Sequence, residues 1–287
     1  MKKRILLIVL LGLNSLLIAQ ENLLKSGPMV AYSTMKEVML WAQTSQESKV
    51  HFEYWSINSP QEKFKTNSVL TLKENGFIAK AIADQLEPGN QYKYNLFIND
   101  NLIERNYPLE FQSQPIWKWR HDAPNYSFAI GSCAYINESK YDRPGTPYGS
   151  NYQIFKSINE TDPDFMVLLG DNVYLREADW NSKTGIIHRY SHTRATKDMQ
   201  AMLGNMHNYA NWDDHDYGPN NSDRSYHLKK VTEQVFKDFF PSPKYIFSEG
   251  ITSFTQWADA DFFLLDNRFW RTPNNRLDIN REILGER

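Results

Sequence analysis

The sequence predicts an N-terminal β-sandwich followed by an α/β layered domain. Three observations carry this. Residues 22–112 hold short runs in which apolar and polar residues alternate with period two. A Pro-, Trp- and Arg-containing stretch over 113–125 breaks that pattern. Beyond it, continuous apolar runs alternate with helical spacings, the pattern of strands covered on both faces by helices. The composition, 41% hydrophobic and 14% aromatic with mixed charges, is that of a globular chain and excludes the disordered and fibrous classes.

The chain opens on a basic Lys2-Lys3-Arg4 and an apolar run from Ile5 to Ile18, closed by Ala19-Gln20. This reads as a secretory signal peptide over 1–20, with a retained N-terminal anchor as the competing reading. The apolar run falls short of the roughly 20 residues a spanning helix needs, and no later segment is expected to span a membrane after signal removal. Export to the periplasm, the cell surface or the medium follows. Removal of the signal takes the formal net charge from -2 to -5, which argues against a nucleic-acid backbone as partner. In the sandwich, Val38-Leu40-Ala42, Val50-Phe52-Tyr54 and Tyr92-Tyr94-Leu96-Ile98 are the alternating runs, separated by turns such as Ser59-Pro60 and Pro88-Gly89-Asn90. Trp41, Tyr54 and Tyr92 are expected in its core, a carbohydrate-binding face being the alternative.

The second domain, 126–287, has apolar runs at Ser127–Ile130, Asp164–Leu169 and Phe262–Leu265, which suit strands buried on both faces. Tyr152, Phe155 and Ile158 recur at helical spacing after Ser150-Asn151, a candidate N-cap. Leu228, Val231, Val235, Phe236 and Phe239 form a helical stripe ended by Pro241 and Pro243.

Chemistry-bearing residues follow the apolar runs. Gly131-Ser132-Cys133 comes after Ile130, Gly170-Asp171-Asn172-Val173-Tyr174 after Leu169, and Asp213-Asp214-His215-Asp216 after Tyr209–Trp212. Sites in open α/β sheets lie outside the carboxyl ends of the strands, so these segments are expected to converge. Convergence gathers a thiol, carboxylates, a phenol and an imidazole. Carboxylates brought together repel one another and lose hydration, a cost that a multivalent cation offsets. A solvated acidic turn is the alternative reading of residues 213–216. Cys133 is the chain's one cysteine, so it has no intramolecular disulfide partner and is either an inert thiol or a ligand. His188, His192 and His207 lie in a polar stretch without a motif and are expected at the surface. Arg194, Arg189 and Arg224 are candidates for pairing with phosphate oxygens, against solvated helix faces.

In this order, Gly-Ser-Cys at 131–133, Leu-Gly-Asp-Asn-Val-Tyr at 169–174, Trp-Asp-Asp-His-Asp at 212–216 and Gly218-Pro219-Asn220-Asn221 resemble the PhoD-like alkaline phosphatase and phosphodiesterase family of the metallophosphoesterase fold. Leu265-Asp266-Asn267-Arg268 and Ile283-Leu284-Gly285 resemble late segments of that family's core, and residues 22–112 resemble the fibronectin-type domain that often precedes it. The resemblance implies exported, metal-dependent hydrolysis of phosphomonoesters or phosphodiesters, on a small molecule or a surface polymer. It implies that Cys133, Asp171 and Tyr174 ligate ferric iron, with Asp171 bridging to calcium or another divalent metal, Asp214 a further ligand, and a phenolate colour from Tyr174. His215 then contacts the phosphoryl oxygens or the leaving group, and Asp216 supports His215. Asp213, Asn220, Asn221 and Arg194 are implied as weaker supporting or substrate contacts. Two metals about 3.5–4 Å apart activate water and stabilise both entering and leaving oxygens.

The family completes its metal shell with a later Gly-Asp-x-His-like segment. No histidine follows His227 here, so the phosphatase domain is expected to be partial at its C-terminus. Two other readings remain at this stage. One is a catalytically inactive binding or structural protein on a degenerate fold. The other makes Cys133 a nucleophile with His215 as base, which the acidic neighbours oppose.

Overall fold

The structure, a computed structural model, describes residues 23–149 and 151–274. The expected signal segment 1–20, Ser150 and the late Ile283-Leu284-Gly285 lie outside them. In the N-terminal half, β1 (Leu24–Ser33), β2 (Val38–Thr44) and β6 (Ile78–Ala83) pair antiparallel. They face a second sheet of β4 (Phe64–Lys65), β3 (Lys49–Ser56), β7 (Gln91–Ile98) and β8 (Asn101–Ile103). Two short strands, β5 (Val69–Leu70) and β9 (Glu110–Gln112), add to β3 and β7. The alternation works as the period requires: in β7, Tyr92, Tyr94, Leu96 and Ile98 are buried while Gln91 and Lys93 are exposed. With Val30, Leu40, Phe52 and Tyr54 they form the core between the sheets. Tyr54 and Tyr92 are thus buried core residues. Trp41 is fully buried on the other face of β2, its Nε1 donating to the Asp238 carbonyl at 2.9 Å.

The first of these sheets does not end with the sandwich. β1 pairs in parallel with β12 (His207–Ala210), β12 with β11 (Phe165–Leu168), and β11 with β10 (Phe128–Gly131). The order is β10-β11-β12-β1-β2-β6, one six-stranded sheet that serves both halves of the chain. Residues 113–127 form neither strand nor helix. Helices α1 (Ile154–Glu160), α2 (Lys183–Arg194), α3 (Gln200–Asn205), α4 (Asp214–Tyr217) and α5 (Lys229–Phe239) join the strands, and β13 (Ser253–Trp257) and β14 (Ala260–Leu264) close a hairpin.

Several expectations are corrected here. Of the three continuous apolar runs, β11 alone is buried throughout. β10 is an edge strand with Ile130 58% exposed, and the Phe262–Leu265 run belongs to the antiparallel hairpin. α1 begins after Gln153, which makes no side-chain cap bond, so Asn151 lies short of the cap position. α5 follows its stripe, burying Val235, Phe236 and Phe239 before Pro241.

His207 is buried, not at the surface. Its Nδ1 lies 3.0 Å from the Ala31 carbonyl, and Gln112 N–H donates to Nε2 at 3.3 Å, so one neutral imidazole ties β12 to the sandwich. Burial pushes its pKa down to about 4. Protons therefore bind the unfolded chain first: this contribution is complete above about pH 6.5 and is lost as pH falls towards 4. The loss amounts to about 3 kcal/mol at full titration. Urea unfolding between pH 7.5 and 4.5 is expected to show a steeper decline in stability for the native chain than for His207→Gln. Equal slopes would assign the titration to other groups.

Candidate metal centre

Three loops leave the carboxyl ends of β10, β11 and β12 and are bonded to one another through their backbones. Cys133 N–H donates to the Gly170 carbonyl at 3.1 Å and Ala134 N–H to that of Asp171 at 2.8 Å. Leu175 N–H donates to the His215 carbonyl at 3.0 Å, and His215 N–H to Asp171 Oδ1 at 3.3 Å. Gly170 makes the approach possible. Its φ is 114°, and a Cβ there would stand 2.7 Å from Asp213 Cβ and 2.9 Å from Asp213 N. Cys133 and Asp171 both adopt left-handed backbone, φ 61° and 50°, the less common conformation for residues with side chains.

The side chains converge on Asp171. One ligand atom from each of Asp171, Asp214 and His215 lies within 4.8 Å of the others. Cys133 Sγ is 3.9 Å from Asp171 Oδ2. The Tyr174 ring stacks on His215 at 4.5 Å between centroids, and its phenol neighbours Cys133 and Asp171. Burial, then the Cys133 and Asp171 partners, push the phenol well above its usual range. Burial raises the Asp171 carboxyl, and the charges of Asp214 and Asp213 add to it against the pull of His215. Carboxylates held this close are stabilised by a cation. Thiol, phenol and imidazole extend the donor set beyond what a hard cation alone selects, so the residues present fit a metal centre.

The remaining predicted residues divide. Asp214 is buried and its Oδ2 accepts Asn221 N–H at 2.6 Å, while Asn220 is exposed beside the cleft that opens at His215. Asp213 turns aside to Arg268 Nε at 2.5 Å and Asn267 Nδ2 at 3.0 Å. Asp216 was expected to support the His215 imidazole. Instead its buried carboxylate accepts Val173 N–H at 3.0 Å and Asp213 N–H at 2.8 Å, bracing the second and third loops. Burial raises this carboxyl well above its usual range.

Arg194 is not at the site. It is buried over the Phe240 ring at 4.4 Å, its carbonyl accepting Ser26 Oγ at 2.6 Å, and burial lowers its pKa to about 9. Arg189 is fully buried between Asp179, at 2.8 Å, and Glu138, at 2.7 Å. Arg224 N–H donates to the Arg271 carbonyl. Cys133 Sγ faces Asp171 Oδ2 at 3.9 Å rather than the His215 base that a thiol nucleophile needs.

Arg268 and Asn267 are the neighbours of the acidic cluster that residue reasoning did not assign, Arg268 Nη2 standing 3.8 Å from Asp214 Oδ1. The signal was present: polar Asp266-Asn267-Arg268 follows the apolar run Phe262–Leu265, as the other site loops follow theirs.

No protein-family model and no curated protein matches the sequence. Solved structures do. A structure of PhoD superposes with a TM-score of 0.72 at 17% identity, over 92% of this chain and 58% of that one. A purple acid phosphatase from yellow lupin (Lupinus luteus) seeds superposes with a TM-score of 0.61 at 16% identity, over 87% of this chain and 47% of its own. The chain therefore has the fold of these phosphatases and spans about half the length of each.

Proposed function

We propose that the protein is a metal-dependent phosphoester hydrolase acting outside the cytoplasm. The observation that carries this is the meeting of Asp171, Asp214 and His215 ligand atoms within 4.8 Å at the carboxyl ends of the parallel strands β10, β11 and β12. Cys133 and Tyr174 lie beside the Asp171 carboxylate in the same place. The fold held in common with PhoD and a purple acid phosphatase supports the reading. Cys133, Asp171 and Tyr174 are assigned to ferric iron, and Asp171 with Asp214 to calcium or another divalent ion. When bound, the metals supply Lewis-acid stabilisation of phosphoryl charge and a nucleophile from water at neutral pH.

The chain's own residues do the rest. The His215 backbone N–H holds Asp171 Oδ1, and Asn221 N–H holds Asp214 Oδ2, so both carboxylates are oriented before any cation arrives. The His215 ring lines the cleft with one face against Tyr174. Its assigned role is to donate a proton to the leaving oxygen as the P–O ester bond breaks and water adds to phosphorus. The substrate is assigned as a phosphoester small molecule or a surface polymer. Export rests on the reading of residues 1–20 as a secretory signal, and among the described residues no helix is long and apolar enough to cross a membrane.

Hydrolysis of 4-nitrophenyl phosphate and its bis ester is expected to vanish on dialysis against chelator and to return with iron and calcium. The iron-loaded chain is expected to absorb in the visible, and Tyr174→Phe to lose the band. Absence of stoichiometric metal and of hydrolysis would leave the binding-protein reading in its place.

A further inference from the structure

We propose that the cleft beside His215 is a glycosyl subsite, so that the ester cleaved here joins phosphate to a sugar. The inference rests on the phosphohydrolase reading for the phosphate half of the ligand. The cleft encloses about 680 Å³ and begins at His215 and Tyr174, directly beside the acidic cluster. A glycerol or methyl ester would fill little of that volume, which lies in the range of sites for larger organic ligands, about 300–1,000 Å³.

Its wall is aromatic. Tyr135, Tyr141, Tyr148 and Trp180 line it alongside Tyr174. The rings meet at steep angles: Tyr135 and Tyr148 at 71°, Tyr135 and Tyr174 at 54°, both with centroids 4.9 Å apart. These pairs form no parallel slot for a flat base. They present faces and edges to a puckered ring whose own faces carry C–H groups, with phenol, Asn220 and Glu177 polar atoms for its hydroxyls.

Charge narrows the ligand further. The Arg176 guanidinium is committed to Asp142 at 2.8 Å, the Ile136 carbonyl at 2.9 Å and the Tyr174 carbonyl, and lies over Tyr135 at 4.1 Å. Arg143 is the other lining cation, and Glu177 is an exposed carboxylate in the same wall. A cleft so balanced suits an uncharged group and offers little to a chain of further phosphates.

Tyr148 provides the test. The residue is 62% exposed, and its backbone N–H is held by Asn137 Oδ1 at 3.0 Å, so Tyr148→Ala removes the ring and keeps the anchor. Saturation-transfer NMR on the full chain, with methyl α-glucopyranoside, glycerol and adenosine as probes, is expected to select the glucoside. The variant is expected to weaken that signal. It is also expected to lower kcat/KM for glucose 1-phosphate by about 10-fold, and by more than for glycerol 1-phosphate. Preference for adenosine or glycerol, or equal losses on both esters, would overturn the subsite. Glucoside binding without hydrolysis of either ester under any metal would keep the subsite and reject the phosphohydrolase reading. Hydrolysis without glucoside binding would do the reverse.

Discussion

Asp171→Asn is expected to reduce hydrolysis by well over about 100-fold at saturating metal, because partners that merely orient a metal ligand already cost 10–100-fold when removed. Asp171 is where the three loops meet. Its Oδ1 accepts His215 N–H at 3.3 Å, its Oδ2 faces Cys133 Sγ at 3.9 Å, and the Tyr174 phenol lies beside it. It shares the 4.8 Å cluster with Asp214 and His215. Asparagine keeps the shape and one acceptor oxygen, so the His215 N–H retains its partner and the loops retain their backbone bonds. What is lost is the negative charge and an oxygen able to reach a cation. Metal content and kcat/KM are therefore expected to fall together while the melting temperature stays within a few degrees. A normal rate would remove Asp171 from the centre, and a collapse in melting temperature would reassign it to folding.

The convergence of the three loops is more legible in the sequence than the residues that brace them. Cys133, Asp171, Tyr174 and Asp214 are legible because each follows an apolar run, and strand ends in such sheets converge. The sandwich is legible because Phe52, Tyr54, Tyr92 and Tyr94 alternate with polar residues. α2 is not legible, since the side it buries carries Arg189, Ser191, Thr193 and Arg194 beside Ile186 and Tyr190 and so makes no apolar stripe. The match of a guanidinium fork to phosphate made Arg194 a substrate candidate, whereas it is buried in the interior. His207 is concealed for a related reason. A buried histidine is recognisable only by its two backbone partners, Ala31 and Gln112, which lie far away in sequence. Asp216 lies beside His215 in sequence, but the turn of α4 carries its carboxylate to the backbone of Val173 and Asp213. β10 has the composition of an interior strand and stands at the edge because nothing among the described residues pairs with its outer side.

Asp266→Ala is expected to destabilise the chain by about 4 kcal/mol, near the upper end for a single substitution. The side chain is buried and accepts four bonds, each at 2.9 Å. Trp212 Nε1, Arg268 N–H and Phe269 N–H share Oδ1, and Ile251 N–H takes Oδ2. Gly250 closes over it with φ 74°, and a Cβ at that position would stand 2.6 Å from Oδ2. Alanine would strand all four donors away from water, at about 1–3 kcal/mol for each one that finds no new partner. The consequence reaches the candidate metal centre by two routes. Trp212 directly precedes Asp213, and the turn that Asp266 holds delivers Asn267 and Arg268 onto the Asp213 carboxylate. Once that turn loosens, Asp213 and Asp214 lose the guanidinium that offsets their charge, and the cluster is expected to spread. Thermal unfolding is expected to fall by roughly 10 °C, with activity reduced even where the chain remains folded. Asp266→Asn keeps an acceptor oxygen and is expected to lose about half as much stability. Full activity in folded Asp266→Ala would show that the centre does not depend on the Arg268 turn. An unchanged melting temperature would show that the four bonds contribute nothing net.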